Sequence, residues 1–200
     1  MYEKYIKRIF DFSMSLIGLV VLFPFFVVIA LAVKFDSKGL IIFKQKRIGR
    51  DKRYFYIYKF RTMYSETPKN MATHLIEQPD VYITKVGKIL RKTSLDELPQ
   101  LLNILKGDMA VIGPRPALWN QYDLISERDR VGANSVRPGL TGLAQISGRD
   151  ELSVVDKAKL DGEYVKNITL WLDFKCFFKT IISVIKKDGV VEGGTAENKK

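Results

Sequence analysis

The sequence is poor in the residues that most often carry catalysis or metals. Its single cysteine, Cys176, excludes an intramolecular disulfide and any cysteine-cluster metal site. Its single histidine, His74, excludes a multi-histidine zinc site and leaves little room for histidine acid–base chemistry. No glycine-rich phosphate loop is present. Charged residues make up 28% of the chain, too ordinary a share for disorder through most of its length. Acidic residues are scarce beside basic ones, 22 against 33, giving a net charge of +11. That balance favours anionic partners: nucleic acid, nucleotide phosphates or an anionic lipid surface. Chemistry in this chain therefore runs on carboxylates, hydroxyls, lysine and arginine.

Apolar residues are plentiful, at 46% of 200 positions. That length suffices for one domain, or one domain plus an anchor, with a buried core. Residues 12–33 form a run of 22 positions without a charge, about 33 Å as a straight helix and enough to cross a hydrocarbon core. A secretory leader fits less well. Lys7 and Arg8 precede the run and Ala30-Leu31-Ala32 has the form of a cleavage site, but the run exceeds the roughly 7 to 15 residues of a leader's apolar core. Both flanks are basic, with Lys4, Lys7 and Arg8 before and Lys34, Lys38, Lys44, Lys46, Arg47, Arg50, Lys52 and Arg53 after. The positive-inside tendency places both ends in the cytoplasm. Pro24 interrupts the middle of the run. Two half-helices of about 11 residues, about 16 Å each, would enter and return as a re-entrant hairpin. Ser13 or Ser15 would then meet the backbone groups freed near Phe23 and Pro24. A proline-kinked single span fits the same residues equally well.

Beyond the apolar run, residues 40–43 and 54–60 alternate as strands around a basic turn at 47–52, which predicts a β-hairpin. The period of two places Phe55, Ile57 and Lys59 on one face and Tyr54, Tyr56, Tyr58 and Phe60 on the other. Lys59 is then a strand-end phosphate ligand or a solvated charge. Residues 66–79, with His74, read as a polar surface loop. In residues 172–187 helical periodicity gathers Phe177, Phe178, Ile181, Ile182, Val184 and Ile185 on one side. Lys175, Lys179 and Lys186 fall on the other, beside Cys176, Thr180 and Ser183. With Trp171 upstream, the segment reads as a surface helix packed on the core or as an interfacial helix lying on a membrane, and the lysine stripe favours the latter.

Candidate chemistry lies between Thr84 and Arg149. Ser94 and Glu97 have capping-box spacing, but in that register Pro99 falls where a hydrogen-bonded N–H is needed. With Asp96 as the cap, Pro99 falls in the first turn, so Asp96 is expected at a helix N-terminus beside Glu97, near Lys88, Arg91 and Lys92. The two carboxylates are either complements to the helix dipole or a catalytic pair. Gly113-Pro114-Arg115-Pro116 fixes an arginine between prolines, Arg137-Pro138-Gly139 reads as a type II turn, and Ser147-Gly148-Arg149 supplies a third arginine. Such a grouping suggests phosphate recognition by side chains.

Several motifs make a resemblance specific. They are Lys7-Arg8-Ile9-Phe10-Asp11, Tyr58-Lys59-Phe60-Arg61-Thr62-Met63, Arg91 followed by Thr93-Ser94-Leu95-Asp96-Glu97-Leu98-Pro99-Gln100, and Leu105-Lys106-Gly107-Asp108-Met109. Gly113-Pro114-Arg115-Pro116 and Val136-Arg137-Pro138-Gly139-Leu140-Thr141-Gly142 complete the set. In this order, over residues 4–190, the chain resembles the bacterial sugar transferase family, the small monotopic phosphoglycosyl transferases that start capsule and glycoprotein glycans.

The resemblance implies an α+β, mainly α fold. A re-entrant membrane hairpin over 1–35 would precede a catalytic domain over 36–190 and a flexible tail over 191–200. The domain would carry a small β-hairpin and amphipathic interfacial helices around a site at the cytoplasmic face of the inner membrane. The implied reaction moves a sugar 1-phosphate from a UDP-sugar to undecaprenyl phosphate and releases UMP, with an N-acetylated hexose, deoxygenated or not, suggested. Asp96 matches the family's nucleophile and Glu97 its partner, both candidate ligands of Mg²⁺. Lys59, Arg91, Arg115, Arg137 and Arg149 match as phosphate ligands, Arg115 and Arg137 most strongly. Membrane phospholipids are implied partners and nucleic acid is not. The family also selects the hairpin, broken at Pro24; members often carry serine before that proline, and this chain has Phe23. The rivals are a membrane-tethered basic binding module without catalysis and the same chemistry on a non-acetylated UDP-hexose.

Overall fold

The computed structural model describes residues 2–67, 79–148 and 151–186; His74, Arg149 and the expected tail lie outside them. After a π-helical turn, Tyr2–Ile6, come α1 (Lys7–Val21), α2 (Phe23–Asp36), β1 (Ile42–Ile48), β2 (Tyr54–Phe60), α3 (Pro79–Tyr82), α4 (Lys85–Thr93) and α5 (Gln100–Lys106). β3 (Ala110–Ile112), α6 (Tyr122–Arg130), β4 (Gly139–Thr141), α7 (Leu143–Ser147), α8 (Val154–Lys166) and α9 (Leu170–Lys186) follow. The fold is α+β and mainly α, as expected.

Among the described residues no single helix is long and apolar enough to cross a membrane, but α1 and α2 pass that test as a pair bent by 64°. Pro24 lies in the first turn of α2, where a missing N–H costs little. Backbone bonds flank the bend, from Leu22 N–H to Gly18 O at 2.9 Å and from Phe26 N–H to Leu22 O at 3.0 Å. Ser15 does not serve the break, because its hydroxyl donates to Phe12 O at 2.9 Å.

The polarity of α1 is inverted. Lys7, Asp11 and Ser15, at helical spacing, form its buried stripe, while Ile9, Ile17, Val20 and Val21 point outward. Lys7 bonds Asp173 at 2.7 Å and Asp11 accepts the Val111 N–H at 2.9 Å. Gly18 continues the stripe, with an added Cβ falling 3.2 Å from Leu101 Cδ1, so α1 lies close on α5. In α2 only Ile29 and Val33 are buried, against Phe60 and Leu90.

α9 repeats the inversion and corrects the expected faces. Asp173 and Cys176 are buried and Thr180 bonds Thr141 at 2.7 Å, so the side expected to carry polar groups outward packs on the protein. Trp171, Phe178, Ile181 and Ile182 are exposed, flanked by exposed Lys175 and Lys179. Asp173 takes hydrogen bonds from Lys7, Tyr2 and Tyr164, and a buried carboxylate at that position fixes the register of α9 against α1.

The β-hairpin forms with Ile42 opposite Phe60 and Ile48 opposite Tyr54. β1 starts later than expected and runs through the basic residues rather than ending before them. Lys46 sits 3.8 Å from the Tyr54 ring centroid and Lys44 5.6 Å from that of Tyr58, so aromatic faces cover the ammonium groups along the strand. The turn is correspondingly tighter, closed by Gly49 N–H to Arg53 O at 2.7 Å, with Asp51 and Lys52 in the left-handed region.

β3 and β4 form a parallel pair that the sequence reading missed. Gly139 opens β4 with no positive φ, so Arg137-Pro138-Gly139 is not a type II turn. Glycine is needed there for close approach, since a Cβ would fall 2.1 Å from Gly113 N. The main core gathers Phe55, Ile57, Ile104, Met109, Ile112, Tyr164 and Cys176 between hairpin, α5, β3, α8 and α9.

Candidate active site

The carboxylate pair sits in a turn shaped by proline. Ser94 adopts the left-handed region (φ 57°) and ends α4, whose own N-cap is Thr84, accepting from Gly87 N–H at 3.0 Å. Leu95–Glu97 form a 3₁₀ turn and α5 begins only at Gln100. Asp96 is therefore not the N-cap of α5, contrary to expectation. Pro99 has no N–H to close a bond back to Leu95, so the chain uses tighter bonds, Glu97 N–H to Ser94 O and Leu98 N–H to Leu95 O, before the helix starts.

β2 supplies the opposing group. Lys59 shares a face with Phe55 and Ile57 as the alternation predicts, and its Nζ lies 2.7 Å from Glu97 Oε1 and 3.7 Å from Asp96 Oδ2. It is thus an ion-pair partner rather than a solvated charge. The residues after it hold the strand end in place. Phe60 packs on α2, and Arg61 donates to Leu40 O and Ser37 O at 2.6 Å each. Thr62 Oγ1 accepts Arg91 Nε–H at 3.0 Å.

Arg115 closes the cluster from the other side, gripping Glu97 through both terminal nitrogens, one on each carboxylate oxygen. Its rigid segment is clamped by its carbonyls. Arg128 donates to Arg115 O at 2.8 Å and Arg47 to Pro116 O at 2.9 Å. Arg128 is fixed in turn by buried Asp161 at 2.6 Å. Sequence reasoning missed both clamps. Arg47 looked like one basic flank residue among many, and nothing in the sequence around Arg128 links it to a segment 13 positions away.

The two carboxylates experience opposite fields. Burial pushes Glu97 up, but Arg115 and Lys59 outweigh it and hold its carboxyl well below the usual range. For Asp96, burial and the neighbouring Glu97 charge prevail over Lys59, Arg91 and Arg115, and its carboxyl is raised. Asp96 is 8% exposed and accepts no hydrogen bond among the described residues. Arg47, beside this cluster, is lowered to about 9 by burial and then by Arg115, and stays charged at neutral pH.

Of the expected cationic ligands, Lys59 and Arg115 contact the pair and Arg91 acts on Asp96 through space. Arg137 is elsewhere, donating Nε–H to Gly107 O at 2.9 Å in a cleft with Arg50 and Arg53. Among the described residues there is no cluster of three or more metal-ligating side chains. Glu97 has both oxygens committed to cations, so Asp96 is the member of the pair with an oxygen open to a hard ion. That suits Mg²⁺, which needs only one or two carboxylates when substrate phosphates complete its shell.

Comparison with known proteins adds to this geometry. Residues 2–187 match the family described as bacterial sugar transferase. The chain is 40% identical over 185 residues to an undecaprenyl-phosphate glucose phosphotransferase of Komagataeibacter xylinus, covering 88% of this chain and 35% of that protein. It is 38% identical over 197 residues to the exopolysaccharide production protein ExoY of Sinorhizobium fredii, covering 92% of this chain and 87% of that one. It is 37% identical over 191 residues to a UDP-N-acetylgalactosamine-undecaprenyl-phosphate N-acetylgalactosaminephosphotransferase of Aeromonas hydrophila, covering 90% and 44%. The chain thus spans about a third of the first relative and less than half of the third. With a match running through hairpin, carboxylate pair and arginine segments alike, the chain belongs to the bacterial sugar transferase family.

Proposed function

We propose that the chain transfers a sugar 1-phosphate from a UDP-sugar to undecaprenyl phosphate through a covalent intermediate on Asp96. The observation that carries this reading is the asymmetry of the pair. Glu97 is bound by Lys59 and Arg115, whereas Asp96 keeps its lone pairs in a cationic surround and is made more basic by burial. A carboxylate oxygen of Asp96 attacks the sugar-bearing phosphorus, a P–O bond forms, and the bridging P–O bond breaks with its electron pair leaving on UMP. An oxygen of undecaprenyl phosphate then attacks the same phosphorus, and the Asp96 carboxylate leaves. Both leaving groups are stable anions, which suits a site with no histidine among the described residues. Lys59, Arg91 and Arg115 steady the charge on the phosphoryl oxygens. Asp96, together with substrate phosphate oxygens, would hold Mg²⁺, which would supply further charge neutralisation. Asp96→Asn is expected to abolish UMP release and lipid-linked product while membrane association persists; undiminished turnover would overturn the assignment.

The hairpin is read as re-entrant, on the cytoplasmic side of the inner membrane. In support, its apolar residues face outward, and both of its ends are fastened to one body. Arg8 donates to Ile104 O and Leu105 O, while Asp36 accepts Val86 N–H and Arg61 reaches Ser37 O. A spanning pair would separate its ends by about 30 Å of hydrocarbon. With the 64° bend set symmetrically, helices of 15 and 14 residues reach a depth of roughly 12 Å. A cysteine tag at the N-terminus should be labelled only after permeabilisation; labelling of intact cells sinks this topology.

The donor sugar is read as an N-acetylated hexose, in line with the name of the Aeromonas relative. The name of the Komagataeibacter relative favours a non-acetylated hexose as second reading. The mass of the adduct trapped on Asp96 across a panel of UDP-sugars decides between them.

A further inference from the structure

The cationic groups divide between two ends of one structural unit. α5 lies antiparallel along β2. Asp96 and Glu97 precede it and meet Lys59, Asn103 at its middle bonds Tyr56 O and Tyr58 N–H, and Gly107 and Asp108 follow it beside Tyr54 and Phe55. At this far end a cavity of about 480 Å³ opens, lined by Arg50, Arg53 and Arg137 together with Phe55 and Asp108. From Tyr54 to Lys59 the strand covers about 16 Å.

Separate stretches of chain deliver these arginines: the hairpin turn carries Arg50 and Arg53, and the entry to β4 carries Arg137. Arg137 spends only its Nε, on Gly107 O, and its terminal nitrogens have no partner among the described residues. The same holds for the whole guanidinium of Arg53. Arg8 stands close behind, its Nη2 3.3 Å from where a Cβ on Gly107 would lie. Against these cations stand Asp51, paired with Arg50 at 3.4 Å, and Asp108, which faces Asn103 Nδ2 at 3.4 Å. Burial, then the charges of Arg8 and Arg50, weakens the hold of Arg137 on its proton, so the cluster is under mutual repulsion. Convergent guanidinium groups with unfilled donors match the tetrahedral oxygens of phosphate.

We propose that this cleft is a second anion site, apart from the carboxylate pair, that binds a phosphate group carried by a membrane lipid headgroup or by a soluble phosphate. Its distance from Asp96 excludes it from holding the phosphorus attacked there. It lies beside the entry of α1, where Arg8 sits 5.8 Å over the Phe12 ring.

The test uses the full chain in detergent with two probes. Inorganic phosphate is titrated by calorimetry, and retention of phosphatidylglycerol over phosphatidylcholine is read by native mass spectrometry. Arg50→Ala/Arg53→Ala, both exposed positions, is compared with wild type and with Arg115→Ala at the other end, with thermal midpoints checking folding. The double variant should lose at least one interaction tenfold or more while Arg115→Ala keeps it within twofold. A loss seen with inorganic phosphate identifies a soluble ligand, and a loss confined to phosphatidylglycerol identifies a headgroup. Equal binding of both probes by wild type and double variant, or an equal loss in Arg115→Ala, overturns the proposal. Neither readout involves turnover, so this outcome is independent of the role of Asp96.

Discussion

The two ends of the α5–β2 unit hold the same kinds of cation and differ in what answers them. At one end Lys59 and Arg115 converge on Glu97, which takes up their donors and leaves Asp96 unbonded among the described residues. At the other, Arg50, Arg53 and Arg137 converge on a cavity in which, among the described residues, only Arg50 has an acidic partner, at an exposed position. The difference teaches that net charge alone does not define a site. Internal neutralisation at the first end frees one nucleophile, whereas its absence at the second leaves donors for a ligand from outside.

Changing Arg115 should have the largest effect on this contrast. Arg115→Lys keeps the charge but loses the two-pronged grip on Glu97, and turnover should fall about a hundredfold, or about 2.7 kcal/mol in activation free energy. Turnover near wild type would mean that charge without the fork is enough. Next comes the connection between the ends. Asn103 bonds Tyr56 O at 2.8 Å and Tyr58 N–H at 3.0 Å, and Asn103→Ala leaves both backbone groups unpaired. The expected cost is about 2 kcal/mol, a fall of roughly 4–8 °C in Tm; an unchanged thermal midpoint would show that water replaces the side chain.

The smallest effect is on pH dependence. Asp96 must be ionised to attack, so turnover falls as pH drops through its raised pKa. Lys59 is the largest charge opposing that rise. Lys59→Met should therefore move the acid limb to higher pH, whatever it does to the plateau. A limb that stays or moves lower would show that Lys59 does not hold the Asp96 pKa down. The folded-state linkage has opposite signs for the pair. Glu97, with a depressed pKa, contributes stability above the ordinary carboxylate range that is lost as pH falls through its folded value. Asp96, with a raised one, has the opposite effect: stability is lost as pH rises through its folded value and the carboxyl ionises.

Much of this was legible from local signals. Alternation in Tyr54–Phe60 placed Lys59 on the face of Phe55 and Ile57, and Pro99 correctly excluded Ser94 as the cap of α5. Where the reading failed, a contact distant in sequence had overridden a local rule. Gly139 looked like a turn glycine, but the backbone of Gly113 requires it. Cys176 and Thr180 looked like the outer face of an amphipathic helix, yet α9 packs on β3 and β4 through that side. The inverted faces of α1 and α9 follow one physical cause: buried polar groups are stable when paired, and Asp173 supplies partners for Lys7, Tyr2 and Tyr164.

By itself the sequence determined the classes of chemistry open to this protein. One histidine and one cysteine restrict it to carboxylates and cations, and an uncharged run broken at Pro24 dictates a bent apolar pair. It also placed Asp96 and Glu97 side by side, because adjacency in the chain is local. Only the tertiary structure decided that these neighbours differ, since Lys59 and Arg115 arrive from positions 38 and 18 residues away and both choose Glu97. It likewise separated Arg137 from Arg115, which the sequence had grouped. A motif specifies which groups are available, but their charge states and partners depend on burial and on distances across the fold, which fall off too steeply to be inferred from spacing along the chain.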